Sequence, residues 1–404
     1  MAKRKRGELV KVWEYDAKAP LLSAPTPAVL NDTRGVIIAT ADGHVQFVDK
    51  DGKLVWSFAA VAKVSAQESM FLEQEKVNAI IGPPIVVDVN ADGSPEIIFG
   101  TEHGMLYTLD SDGKKLWEFA AKGPIRSSPL ATDLTGDEGL EIVFGSSDKH
   151  LYILTNEGKL ISRYAYDVGI ESTPARIGRQ IIFGDNDGVV HSLGPKGEDN
   201  WTFETGARIV TEPLIVRLLD DEFYVLVAST NGILFALHLS GDLLWKFETG
   251  GAIIGQPVVH DLDGDGKPEI VVGSCDNFVY AIRNNGDLYW SYETNFWIAS
   301  SPIVKDLDGD GTPEVIAGSY DHHIYVLATE GNYNLDYVPG IAGVVNQASY
   351  YSEVMTDEPG TMVAKLIWKY KTEGMLVGGV FLPYNHNLVM ASKNGIVTVL
   401  AHRE

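Results

Sequence analysis

One pattern of side chains in this sequence is equipped for chemistry. The stretch "DLDGDGKPE" sets Asp261, Asp263 and Asp265 at positions 1, 3 and 5 of a short loop and Glu269 at position 9. Lys267 at position 7 offers a backbone carbonyl, and Gly266 at position 6 permits a sharp turn. Hard carboxylate and carbonyl oxygens in this number select Ca²⁺ over Zn²⁺. "DLDGDGTPE" repeats the set with Asp306, Asp308, Asp310, the Thr312 carbonyl and Glu314. "DVNADGSPE" gives a third set with Asp88, Asn90, Asp92, the Ser94 carbonyl and Glu96. A fourth loop, "DLTGDEGLE", keeps Asp133, Asp137 and Glu141 but has Thr135 at position 3 and Glu138 in place of glycine, which makes it a weaker site. Acidic side chains this crowded repel one another unless a cation lies between them. The chemistry implied is Ca²⁺ binding at three loops, with the fourth as a degraded copy. Calcium without an open coordination position is a structural staple and not a catalyst.

The loops recur in register with a longer repeat. Trp13, Trp56, Trp117, Trp201, Trp245, Trp290 and Trp368 mark successive units, with Tyr164 in the one large gap. Pro27, Pro84, Pro129, Pro174, Pro213, Pro257 and Pro302 form a second series, and Val380 takes the eighth place. A period of about 45 residues with several short strands per unit is the signature of a propeller blade. Each unit reads as four strands: one after the proline ("PVVHDL"), "EIVVGS", "FVYAI", and one bearing the tryptophan ("LYWSYET"). We call them A to D. The last unit stops after strand C, and its tryptophan strand stands at the other end of the chain as "ELVKVWEY". The expectation is an all-β, eight-bladed β-propeller of four-stranded antiparallel blades. It is a single domain over residues 1–404, the ring closed by the N-terminal strand. Closure removes the exposed sheet edges of an open array. The tryptophans then fill contacts between blades and do not bind ligand. Two insertions interrupt the period, at 57–80 and 329–362. The first reads as a short amphipathic helix and the second is rich in tyrosine, including Tyr350 and Tyr351.

The part running from strand C through strand D, written "VYAIRNNGDLYWSYET" in one unit, resembles the PQQ-like (quinoprotein-type) β-propeller repeat. The part written "DLDGDGKPEIVVGS" resembles FG-GAP/VCBS repeats, and its acidic loop is similar to an EF-hand loop without flanking helices. The PQQ-like resemblance implies a propeller and allows either a quinoprotein dehydrogenase or a non-catalytic assembly protein. The dehydrogenases use an adjacent cysteine pair beside the quinone. Cys275 is the single cysteine here, so PQQ is not expected as a cofactor.

Composition narrows the partners. The net charge of −23 argues against nucleic acid, whose phosphates call for Lys and Arg. No apolar window of about 18 residues suggests a membrane span. One cysteine and a basic N-terminus without an apolar core point to the cytoplasm, with export by a signal-independent route as the alternative. Nucleophile-elbow, zinc-protease and P-loop motifs are missing from the sequence. His103, His150, His191 and the pair His322–His323 fall at or near the same B–C turns and read as a habit of the repeat.

The loops joining one blade to the next (D–A loops) align, and departures from their own pattern carry the information. Ile80, Ile125, Ile170, Ile209, Ile253 and Ile298 form a core row. Beside it, Phe296, Trp297, Arg208, Arg126 and Glu171 break the pattern and form the expected partner-binding patch at the channel mouth, with Tyr350 and Tyr351 as further contacts. The function expected is a non-enzymatic, calcium-stabilised binding or scaffold module for a protein partner. A carbohydrate-active enzyme, lyase or hydrolase, or a glycan-binding lectin on the same scaffold is the alternative.

Overall fold

A computed structural model describes residues 7–61, 77–136, 139–194, 197–219, 222–333, 362–382 and 384–403 of the chain. Thirty-two strands lie among them. They form six four-stranded sheets and one eight-stranded sheet. The latter consists of two four-stranded units joined at a single parallel bridge between Ser291 and Val363. Eight four-stranded antiparallel units result, numbered here as blades 1 to 8. The chain is a β-propeller, as the repeat predicts. In blade 6 the four strands are Val258–His260, Glu269–Gly273, Phe278–Ile282 and Leu288–Glu293, each where the repeat places it.

Blade 8 is built from both ends of the chain. Its order is Glu8–Asp16, Ile396–Arg403, Asn387–Ser392 and Leu376–Leu382. Glu8 lies opposite Arg403 and Asp16 opposite Ile396. The N-terminal strand therefore closes the ring.

Strand position explains the residue pattern. Strands B are buried along their length, hence the runs "EIIFG", "EIVFG" and "EIVVG". Strands D lie outermost and alternate exposed with half-buried side chains, as in "KLWEFA". Trp117 and Phe119 are the half-buried members there, whereas Trp290 of blade 6 is fully buried. The indole N–H of the strand-D tryptophan donates to a carbonyl in the C–D turn of the next blade. The pairs are Trp13 to Lys50 at 2.8 Å, Trp117 to Asn156 at 2.9 Å, Trp201 to Leu239 at 2.7 Å and Trp245 to Asn284 at 2.9 Å. Trp368 reaches the Gly7 carbonyl at 2.7 Å, across the closure. The glycine of each such turn lies against the ring, as Gly286 does on Trp245 and Gly113 on Trp56. These tryptophans clasp neighbouring blades, which accounts for their recurrence.

A second lock lies near the axis. The Ile row is buried, from Ile80 to Ile298. Ile125, Ile170, Ile209 and Ile298 each cover a strand-B glycine of the preceding blade: Gly100, Gly145, Gly184 and Gly273. A methyl group at any of these glycines would overlap the isoleucine. Among the described residues no helix is long and apolar enough to cross a membrane. Most of the first insertion (62–76) and of the second (334–361), with Tyr350 and Tyr351, lies outside the described residues.

Candidate functional site

Antiparallel strands send A–B and C–D turns to one face of the ring, and B–C turns and D–A loops to the other. The acidic loops occupy the first face. In three of them the backbone folds around its own carboxylates in one register. The position 1 Asp accepts from the position 6 glycine: Asp88 from Gly93 at 2.8 Å, Asp261 from Gly266 at 2.9 Å and Asp306 from Gly311 at 3.0 Å. The position 5 Asp accepts from the position 7 amide: Asp92 from Ser94, Asp265 from Lys267 and Asp310 from Thr312. The position 9 Glu turns inward to take the amide of position 2: Glu96 from Val89, Glu269 from Leu262 and Glu314 from Leu307. Gly266 has φ +83°, the left-handed region that position 6 requires.

Oxygens remain for a cation. One oxygen from each of Asp261, Asp263 and Asp265 lies within 4.8 Å of the others, and the same holds for Asp306, Asp308 and Glu314. Burial, then the neighbouring aspartates, push the Glu269 and Glu314 carboxyls up to about 7, and burial raises Glu96 as well. Carboxyls held in this way fit a hard divalent cation. In the third loop the Asn90 amide nitrogen lies 3.1 Å from Asp92 Oδ2 and 3.3 Å from Glu96 Oε1. In the degraded loop Glu141 accepts from Leu134 N and Thr135 Oγ1, and Asp133 from Gly136 N. Asp137 lies outside the described residues.

The opposite face carries the residues that break the D–A pattern, and they fall into two groups. Arg126, Glu171 and Arg208 meet. Arg126 pairs with both oxygens of Glu102, at 2.6 and 2.9 Å, and with Glu171 Oε1 at 2.9 Å. Arg208 pairs with Glu171 Oε2, and Ser147 and Asn186 donate to Oε1. Burial opposes ionisation of Glu171, but these hydrogen bonds and the two guanidinium charges hold its carboxyl below the usual range. Glu171 is 6% exposed. The group reads as a self-satisfied network across the loops of four blades.

Phe296 and Trp297 lie apart from it, on the loop entering blade 7. They are 43% and 44% exposed, with ring centroids 5.3 Å apart and planes at 21°. Tyr320 lies beside them, 6.5 Å from the Trp297 ring, and its backbone N–H donates to the Trp297 carbonyl at 3.0 Å. The loop thus presents an aromatic shelf held by its own B–C turn. The histidines of these turns serve the turns themselves. His150 and His323 hold the carbonyls of Asp148 and Asp321 through Nδ1 at 2.9 Å, and His191 Nε2 pairs with Asp185 at 3.0 Å.

One row escaped the sequence reading. The residues just before the anchor prolines (Ser128, Thr173, Glu212, Gln256 and Ser301) line an axial cavity together with Pro83. Glu212 is the acid in a row otherwise made of hydroxyl, amide and apolar residues. Applying the same pattern-break test two columns over would have found it.

The strand order and the repeat define a β-propeller. The family model described as the lambda-carrageenase beta-propeller domain matches residues 74–169 and 224–338, more than half of the sequence, and the chain belongs to that family. The model described as outer membrane protein assembly factor BamB matches residues 4–94. No curated protein matches the sequence. Among solved structures, BamB from Moraxella catarrhalis superposes with a TM-score of 0.65 at 18% identity, covering 98% of each chain. The computationally designed Ika8 protein gives 0.66 at 14% identity, covering 97% of this chain and 99% of that one. BBS1N in complex with ARL6DN gives 0.51 at 14% identity, over 81% of this chain and 94% of that one.

Proposed function

We propose that this propeller is a non-enzymatic, calcium-stabilised binding module that engages a protein partner through the D–A face, centred on Phe296 and Trp297. The observation that carries the reading is the exposed, stacked aromatic pair fixed to the Tyr320 turn. Large aromatics left in water on a rigid loop are typical anchors of interfaces. The ion-pair network around Glu171 shapes the same face without offering free charge. Calcium at Asp261–Glu269, Asp306–Glu314 and Asp88–Glu96 would hold the A–B turns on the far face, away from the partner. Affinity capture in calcium, with the wild type and a Phe296→Ala/Trp297→Ala variant as baits, tests this. A defined partner lost only with the variant supports the reading. A partner retained by a folded variant refutes the assigned surface.

A second reading follows from the family, which is named for a carbohydrate-cleaving enzyme. The aromatic shelf would then stack on a sugar ring, as a lectin or an enzyme subsite. Titrating oligosaccharides against the intrinsic fluorescence of the wild type and of Trp297→Phe distinguishes it: the chain has eight tryptophans, so a glycan stacked on Trp297 changes the wild-type emission and not the variant's, without any protein partner.

A further inference from the structure

The cavity on the propeller axis has a volume of about 570 Å³, within the range of small-molecule sites. Its wall is largely apolar, with Ile85, Val87, Leu130 and Ile254 contributing. Glu212 is the one charged side chain on that wall among the described residues. The backbone of Glu212 is clamped. Its N–H donates to Gln256 Oε1 and its carbonyl accepts from Gln256 Nε2, both at 2.9 Å. Gln256 is held in turn, its backbone N–H donating to Ser301 Oγ at 2.9 Å. Thr211, on the same wall, is 5% exposed, and its hydroxyl has no hydrogen-bond partner among the described residues.

We propose that this cavity binds a small primary alkylammonium ion, the Glu212 carboxylate pairing with the ammonium group and the apolar wall covering the chain. A carboxylate with no charged partner on this wall is costly while ionised, and either a proton or a cation relieves that cost. An anionic ligand would add repulsion, and a neutral one would leave the charge unpaired. A divalent metal needs several oxygen ligands where the wall offers one carboxylate. An ammonium group has three donors, enough to engage both oxygens of the carboxylate. The proposal is independent of the aromatic face.

The test uses the full chain in calcium at about pH 8, where the carboxylate is ionised. n-Hexylammonium and its uncharged counterpart n-hexanol are titrated by calorimetry, and the methyl signals of Ile85 and Ile254 report cavity occupancy. The wild type should bind the ammonium at least about tenfold more tightly than the alcohol. Glu212→Gln should abolish that preference, while Asp51→Asn, on an exposed turn, should retain it. Equal affinity for the two probes, no shift of either methyl, or a preference that survives Glu212→Gln would overturn the proposal. The comparison of the two probes on the wild type decides the matter even if the Gln variant folds poorly.

Discussion

Glu212 gives a stability prediction that needs no ligand. Burial alone pushes its carboxyl from 4.5 up to about 7. An acid whose folded value is raised favours the folded state while protonated. That advantage is lost as pH rises through 4.5, and the full penalty is reached above about 7. At about 1.4 kcal/mol per tenfold change, ionised Glu212 costs the fold roughly 3 kcal/mol. Glu212→Gln keeps the shape and removes the charge. The variant should match the wild type within about 0.5 kcal/mol near pH 4.5 and exceed it by about 2–3 kcal/mol at pH 8. Urea unfolding of both proteins across this range, at fixed calcium, measures the difference. Contributions from the acidic loops are common to both proteins and cancel. A difference that does not change with pH, or a variant less stable at pH 8, would refute the reasoning.

Other changes probe the remaining parts. Gly145→Ala drives a methyl into Ile170 and its backbone, and should destabilise the fold by about 1–3 kcal/mol in chemical unfolding. His322 holds a left-handed turn conformation at φ 68°, so His322→Gly should be neutral to stabilising, by up to about 1 kcal/mol in the same assay. Chelation should lower the melting temperature, because ions that bind only the folded state stabilise it by mass action. Asp263→Ala should shrink the chelator's effect while leaving partner capture unchanged. A melt insensitive to chelator would remove calcium from the account.

The fold was legible because its period is written in residues that perform the same mechanical task in most blades. Trp245 and its counterparts clasp the next turn, the Ile170 row fills the space above a strand-B glycine, and a displaced Trp13 strand closes the ring. A task repeated from blade to blade leaves a spacing that sequence alone reveals. The acidic loops were legible for the same reason: position in the loop dictates which carboxylate takes which amide, as Asp261 and Gly266 show. The face was harder to read. Arg126, Glu171 and Arg208 stood out as breaks in the repeat, but only the three-dimensional arrangement shows that they satisfy one another. A break in pattern marks a residue with a local role and does not distinguish a ligand contact from an internal ion pair. Phe296 and Trp297 were marked by the same test and are exposed. Glu212 was missed because the column just before the prolines was not compared from blade to blade, although Glu212 lines a cavity with no other charged residue among the described ones.

The central claim, that the D–A face around Phe296 is the binding surface, is tested most directly by photocrosslinking. A photoreactive phenylalanine analogue replaces Phe296 in one protein and Asp242, on the face of the acidic loops, in another. Each is irradiated in source lysate with calcium. The account predicts a discrete adduct from position 296 that disappears when Trp297→Ala is added, and none from position 242. Adducts from position 242 alone, or an adduct from position 296 unaffected by Trp297→Ala, would contradict it.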